Sequence, residues 1–293
     1  MNEIIRIQGR DLSPNDIAYI KEQIATHPHW HRTRLSREIC AAWAWRDEVG
    51  RPKDMACRTL LLKLERKGLL TLPPPRRSGV NHLRGKSFQP VLHDRSALEG
   101  SLRTLQPITL IIPKRGSETE LWQTLLTQHH YLGFKTHVGQ SISYLAQTSD
   151  GRPVACLLFG AAAWKTAPRD SFIGWSAKVR ENNISRVINN TRFLIPPWVK
   201  VPHLASHILA MALRRLPDDW QNKYGFKPVL VETFVEQDRF KGTCYKAANW
   251  QYLGVTSGRT RQDRYNKITV PIKEIYVYPL CRNFKKTLCE ETP

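Results

Sequence analysis

SRVINNTRFLIPPWVKVPHLASHILAMALRRLPDDWQNKYGFKPVLVETFVEQDRFKGTCYKAANWQYLGVTSG, residues 185–258, is the stretch on which the reading of the fold turns. Its apolar pattern changes period several times. SRVINNTRFLI (185–195) reads as a strand, HLASHILAMALRRLPDDW (203–220) as an amphipathic helix and KPVLVETFV (227–235) as a second strand. CYKAANW (244–250) is a short helix and WQYLGVTSG (250–258) a further strand. Working outward, SISYLAQT (141–148) and RPVACLLFGAAAW (152–164) are strands joined at Asp150-Gly151, a hairpin signal. PITLII (107–112) and EIYVYPL (274–280) are strands, and ELWQTLLTQHHYL (120–132) is a helix. Residues 106–293 are therefore expected to form an α/β (α+β) domain around a mixed sheet of about six strands.

Residues 1–75 read differently. Ser13 can cap a helix running to about His27. In RTRLSREICAAWAW (32–45) Leu35, Ile39 and Ala42/Trp43 share a face, and Gly50 and Pro52 end the pattern. DMACRTLLLKLERKGLLTLPPP (54–75) holds a third helix, stopped by Gly68, and a short strand, LLTL. Three helices and a strand outline a winged helix-turn-helix. Its third helix would present Lys53, Arg58, Lys63, Arg66 and Lys67 to DNA, with Arg76 and Arg77 just behind. The alternative is a small helical bundle with a solvated basic face. Residues 76–105 read as a basic linker.

The whole chain has 45 Lys+Arg against 25 Asp+Glu, a formal net charge of +20, with 41% hydrophobic residues. That is a folded chain whose charge calls for a polyanionic partner, DNA or RNA first. A membrane is not expected: there is no run of about 18 apolar residues and the N-terminus lacks a signal-peptide core. A cytoplasmic protein is expected, with a homo-oligomer left open. Six cysteines without a CxxC pair read as reduced, buried thiols rather than a zinc knuckle or disulfides.

Glu232 follows an apolar run, where a carboxylate must be paired or working. With Asp238, Asp263 and Asp170 it could hold Mg²⁺ or Mn²⁺ for phosphodiester cleavage. Tyr245, with Arg192, Arg239, Arg259 and Arg261, would suit a phosphotyrosyl route in which arginines neutralise the scissile phosphate. The structural alternatives are a Glu232–Arg192 pair and a Tyr245 packed beside Trp250. Asn189-Asn190 at a strand start suggests a bulge or a polar pocket. Of His129 and His130, at most one would face a site. GRTRQDRYNKITVPIK (258–273) reads as an arginine loop that grips phosphates.

Several long stretches go further: LSREICAAWAWRDEVGRPKDMACRTLLLKLERKGLL (35–70), HHYLGF (129–134), GRPVACLLFGAAAW (151–164), FIGWSAKVRENN (172–183) and VETFVEQDRFKGTCYKAANWQYLG (231–254). Together they resemble the DruA-like family of the Druantia anti-phage system, a domain of unknown function also met as stand-alone genes among mobile elements. The resemblance implies a DNA-binding protein that processes DNA by transposase-like or nuclease-like cleavage and strand transfer. A non-catalytic DNA-binding subunit in defence is the alternative. The second half also resembles the Gcn5-related N-acetyltransferase fold in outline, which makes an acyltransferase the third reading. That fold holds coenzyme A phosphates on a Gly-rich loop before its long helix. Here the loop is IPPWVKVPHLAS (195–206), with three prolines and no glycine, so coenzyme A is not expected.

Overall fold

In the computed structural model the described residues are 5–7, 10–47, 50–75, 90–134, 137, 139–258 and 270–291. Arg76, Arg77, Arg259, Arg261 and Asp263 lie outside them. The chain divides into two units, Met1–Lys86 and Ser87–Pro293.

The smaller unit opens with a hairpin of β1 (Ile5–Ile7) and β2 (Arg10–Leu12). Three helices follow: α1 (Pro14–Thr26), α2 (Arg32–Ala42) and α3 (Asp54–Arg66). Ser13 does cap α1. Its Oγ accepts from Asp16 N at 3.2 Å, Asp16 Oδ2 accepts from Ser13 N at 2.8 Å, and Pro14, which has no N–H to leave unpaired, opens the first turn. Leu12, Ile20, Leu35, Ile39, Leu60, Leu61 and Leu64 meet in one buried core.

LLTL departs from expectation. No strand forms there; Leu70 and Leu72 are buried against the helical core instead. The segment is held by Leu72 N donating to Glu65 Oε1 (3.0 Å) and Arg32 Nε donating to Pro73 O (2.6 Å). Among the described residues there is thus no wing behind α3. The α2–α3 connection, residues 43–53, is also longer than the three- or four-residue turn of a helix-turn-helix.

The larger unit contains β3 (Leu98–Glu99), α4 (Leu102–Leu105), β4 (Thr109–Ile111), α5 (Ser117–His129), β5 (Ser141–Gln147), β6 (Pro153–Ala161), α6 (Ala167–Ile173) and α7 (Ala177–Asn183). Then come β7 (Val187–Leu194), β8 (Val199–Lys200), α8 (Leu204–Tyr224), β9 (Leu230–Glu236), α9 (Thr243–Ala247), β10 (Gln251–Val255), β11 (Lys273–Pro279) and α10 (Phe284–Cys289). Residues 90–105 are not linker: β3 pairs in parallel with β8, and Leu98, Leu102 and Leu105 pack on the core.

A mixed sheet runs β10-β11-β9-β7-β6-β5-β4, seven strands where about six were expected. All neighbours are antiparallel except β7 and β9. Two adjacent parallel strands need a crossover, and the 21-residue α8 provides it. Leu204, Ile208, Leu209, Leu216 and Trp220 of α8 pack on one sheet face against Leu157 and Val231. The other face is covered by α5, through Trp122, Leu125 and Leu126, and by α6, α7 and α10. β6 is buried on both sides, which explains its continuous apolar run. All six cysteines are free. No described helix is long and apolar enough to cross a membrane.

Candidate functional site

The β7–β9 ladder is short. It holds Val187↔Leu230, Ile188↔Val231 and Asn189↔Glu232, and then stops. Beyond that point the two strands part. On its other side β7 carries a bulge: Phe159 of β6 faces Asn190, but Leu158 faces Arg192, so Thr191 is extra. An extra residue bends a strand and reverses the facing of everything after it. Ile188 packs on the α8 side, whereas Leu194 packs on the α5 side. Arg192 is turned to the α5 side too, where its Nε donates to Gly133 O (2.9 Å) just beyond α5. The bulge lies next to the Asn189-Asn190 pair that suggested one.

Where the strands part, a cleft of about 640 Å³ opens. Its walls are residues 189–194 of β7 with Ile195 just beyond, 233–235 of β9, residues 240–245 running into α9, the end of α5 with residues 130–132, and Ala205 at the start of α8. On its floor Tyr245 Oη donates to Asn190 Oδ1 at 2.8 Å, and Asn190 Nδ2 donates to Arg192 O (3.1 Å) and Leu158 O (3.3 Å). Thr233 Oγ1 donates to Asn190 O at 3.0 Å. Burial pushes the Tyr245 phenol well above its ordinary pKa, so it stays protonated at neutral pH. The Tyr245 ring stacks on Tyr276 (6.0 Å) and meets Trp250 edge-on (5.1 Å).

The cleft is cationic. Arg192, Lys241 and Lys273 line it, with His129 and His130, and no Asp or Glu does among the described residues. Arg192 is half-buried, its nitrogens meeting, among the described residues, only main-chain oxygens, Gly133 O and Thr191 O (2.7 Å). Burial draws its pKa below the ordinary guanidinium value. Burial, with the nearby Arg192 charge adding, pushes His130 down to about 4, so its ring is neutral at physiological pH. His130 Nδ1 accepts from Leu132 N (3.2 Å), which places the ring proton on Nε2.

Glu232 does not belong to this cleft. It lies on the sheet face that α6 covers, opposite the side of Tyr245 and Asn190, fully buried, where Oε2 accepts from Arg169 Nη1 (2.9 Å) and Oε1 from Ala163 N (2.7 Å). Arg169 is equally buried and also holds Asp170 Oδ1 through Nε (3.0 Å) and Nη2 (2.8 Å), while Arg180 (3.4 Å) and Trp175 Nε1 (3.1 Å) complete the group. The expected Glu232–Arg192 pair is therefore corrected to Glu232–Arg169: Glu232 stands opposite Asn189, the last pair of the ladder, and Arg192 lies farther along β7, beyond where the strands part, with its Nε on Gly133 O. The sequence shows Arg169 as half of an Arg-Asp pair ahead of FIGW, with no sign that it is the partner of Glu232.

The four expected catalytic residues are thus divided. Tyr245 and Arg192 share the cleft, Glu232 sits behind it, and Asp238 is exposed in the turn after β9. On the smaller unit Arg58 pairs with Asp54 (2.9 Å), Lys63 and Arg66 stand exposed on α3, Lys67 is exposed just past its end, and Lys53 precedes its first turn without a side-chain cap bond. Arg239 lies over the Tyr131 ring at 5.0 Å.

Among solved structures the chain is similar to spermidine N-acetyltransferase from Vibrio cholerae in complex with CoA and spermine. The identity is 9%, covering 59% of this chain and 95% of that one, with a TM-score of 0.39. A putative phosphinothricin N-acetyltransferase matches at 12% identity, 60% and 99% coverage and TM-score 0.35. Nourseothricin acetyltransferase matches at 11%, 48% and 66%, with TM-score 0.29. No curated protein matches the sequence. The cofactor expectation, a divalent cation without coenzyme A, is corrected. The matched structures are acetyltransferases, one of them with CoA bound. Among the described residues no group of three or more His, Cys, Asp or Glu could hold a metal ion. Glu232 and Asp238 are too differently placed to do so, one sealed by Arg169 and one in solvent. The model of the family described as Druantia protein DruA matches residues 63–273, well over half of the sequence, and the chain belongs to that family.

Proposed function

We propose that the larger unit transfers an acyl group from a coenzyme A thioester bound in the β7–β9 cleft. The observation that carries this reading is the parted parallel pair: beyond Asn189 and Glu232 two strand edges face one cavity with their ladder unmade. An unpaired strand edge pairs with extended amide-bearing chains, which is the chemistry of a pantetheine arm. Coenzyme A supplies an acyl group activated as a thioester. Arg192, Lys241 and Lys273 would meet its phosphates or an anionic acceptor, and α8, which starts at the cleft beside Ala205, adds the positive end of its dipole. The loop before α8 fits less well. Pro196, Pro197 and Pro202 donate no N–H, so phosphate binding falls to side chains rather than to a backbone cradle. Tyr245 is the proton donor. It hands its phenolic proton to the departing thiolate and is reprotonated from the acceptor, and Asn190 holds its Oη in place.

Tyr245→Phe keeps the ring packing and removes the proton. Thiol release from acetyl-coenzyme A, followed colorimetrically, is expected to fall about 10²-fold or more with coenzyme A affinity unchanged. Equal rates in the variant and the parent chain would remove Tyr245 from this role.

A second reading, duplex DNA binding by the smaller unit, is favoured by the solvent face of α3, where Lys63, Arg66 and Lys67 are exposed within the last turns. It concerns binding, and it replaces cleavage by metal or tyrosine as the role for the basic residues. Lys63→Glu/Lys67→Glu is expected to weaken duplex binding uniformly across sequences. It should also flatten the slope of log K against log salt by about 0.9 for each phosphate no longer neutralised. An unchanged slope would place the duplex-binding surface elsewhere.

A further inference from the structure

The mouth of the cleft carries features that an acyl donor does not need. Tyr131, immediately after α5, and Phe240, after the β9 turn, approach edge to face at 5.2 Å, and Phe240 is 46% exposed. Arg239 lies over the Tyr131 ring at 5.0 Å. Directly inside are Arg192, Lys241 and Lys273. Arg192 is the most telling of these. A half-buried guanidinium normally has a carboxylate partner, because an unpaired buried charge is costly. Here no described carboxylate compensates it, and the cleft wall holds none.

A partly exposed aromatic pair, with Arg239 at its rim (itself paired to Glu236 at 3.4 Å) and a cationic slot behind it, is an arrangement that can stack an unpaired base while neutralising its phosphate. A polyamine or other cationic acceptor would be repelled by it. A duplex is too wide for a slot of this volume. The chain's net charge of +20 would draw a polyanion toward such a site.

We propose that the acceptor side of the cleft binds an unpaired nucleotide of single-stranded nucleic acid, its base against Tyr131 and Phe240 and its phosphate on Arg192 and Lys241. The inference rests on the acyl-transfer reading of the same cleft and names its second substrate class.

The test uses the full chain carrying Lys63→Glu/Lys67→Glu, to suppress binding by α3, and a fluorescein-labelled eight-nucleotide oligothymidylate followed by anisotropy. Phe240→Ala and Lys241→Gln alter exposed side chains and leave the fold intact; each is expected to weaken binding about 5–100-fold, the size of one base–aromatic stack. Arg192→Gln should do at least as much, with its thermal transition measured alongside. Affinities within twofold of the parent in both Phe240→Ala and Lys241→Gln would overturn the proposal. So would stoichiometric displacement of the oligonucleotide by coenzyme A, which would assign the cations to the donor's phosphates. Retention of the oligonucleotide in saturating coenzyme A would support it. If coenzyme A itself fails to bind while oligonucleotide affinity still depends on Phe240 and Lys241, the nucleotide site stands and the acyl-transfer reading falls.

Discussion

Arg169→Met is expected to destabilise the larger unit by about 3–5 kcal/mol, the size measured when one partner of a buried ion pair is removed. The substitution preserves much of the side-chain volume but strips Glu232 of the only charged partner it has among the described residues and leaves Ala163 N as its remaining described donor. It also removes both guanidinium hydrogen bonds to Asp170 and the stacking over Trp175 at 5.6 Å. The sign of the pH dependence follows from Glu232. Burial already raises its pKa above the ordinary carboxylate value, with Arg169 opposing. Without Arg169 the rise is larger, so the folded state holds a proton that the unfolded chain releases. Stability is then greatest below the unfolded carboxylate pKa and falls as pH rises through the folded value. The variant's deficit in urea unfolding should therefore be smaller at pH 5 than at pH 8. A deficit under about 1 kcal/mol, or one that grows on acidification, would show that Glu232 is not sealed in this way.

Gly242→Ala should damage the cleft as well as the fold. Gly242 has φ +64°, and a Cβ there would sit 2.5 Å from Tyr276 Oη and 2.8–2.9 Å from its ring carbons. The Tyr276 ring is fully buried and stacked on Tyr245, so it cannot swing aside cheaply. Overpacking of this kind costs about 1–3 kcal/mol, and the left-handed backbone adds about 1–2 kcal/mol for a residue with a Cβ. Because the displaced ring leans on Tyr245, acyl transfer should fall with stability. Chemical denaturation checks the first effect and thiol release the second. A variant within about 0.5 kcal/mol of the parent, the range of neutral surface changes, would mean that Tyr276 moves freely.

Much of this architecture was legible in the sequence, because residues 185–258 announce each change of element by a change of period. The strand–helix–strand order, the hairpin at Asp150-Gly151 and the Ser13 cap depend on neighbours in sequence. What was not legible depends on register across the sheet. Glu232 was readable as a buried carboxylate needing a partner, yet its partner comes from a segment 63 residues away. Arg192 was the candidate nearest in the strand pattern, but it falls beyond Asn189, the last residue of β7 that pairs with β9, and reaches Gly133 O instead. LLTL was misread as a wing because an apolar run of four is equally suited to a strand edge or to lying extended on a helical core. Tyr245, Arg192, Asn190 and His130 each carried a local signal. Their convergence on one cavity did not, since it follows from where the β7–β9 ladder ends. Tyr131, Phe240 and Lys273 carried none, being ordinary residues until the fold brings them to one rim.

The most direct measurement is isothermal titration of the purified chain with coenzyme A, beside Ala205→Trp, in which an indole fills the cleft at the start of α8. One molecule should bind per chain with a negative heat-capacity change from apolar burial, and binding should disappear in Ala205→Trp while its thermal transition is retained. No binding by the parent chain, or equal binding by the filled variant, would contradict a donor site between β7 and β9.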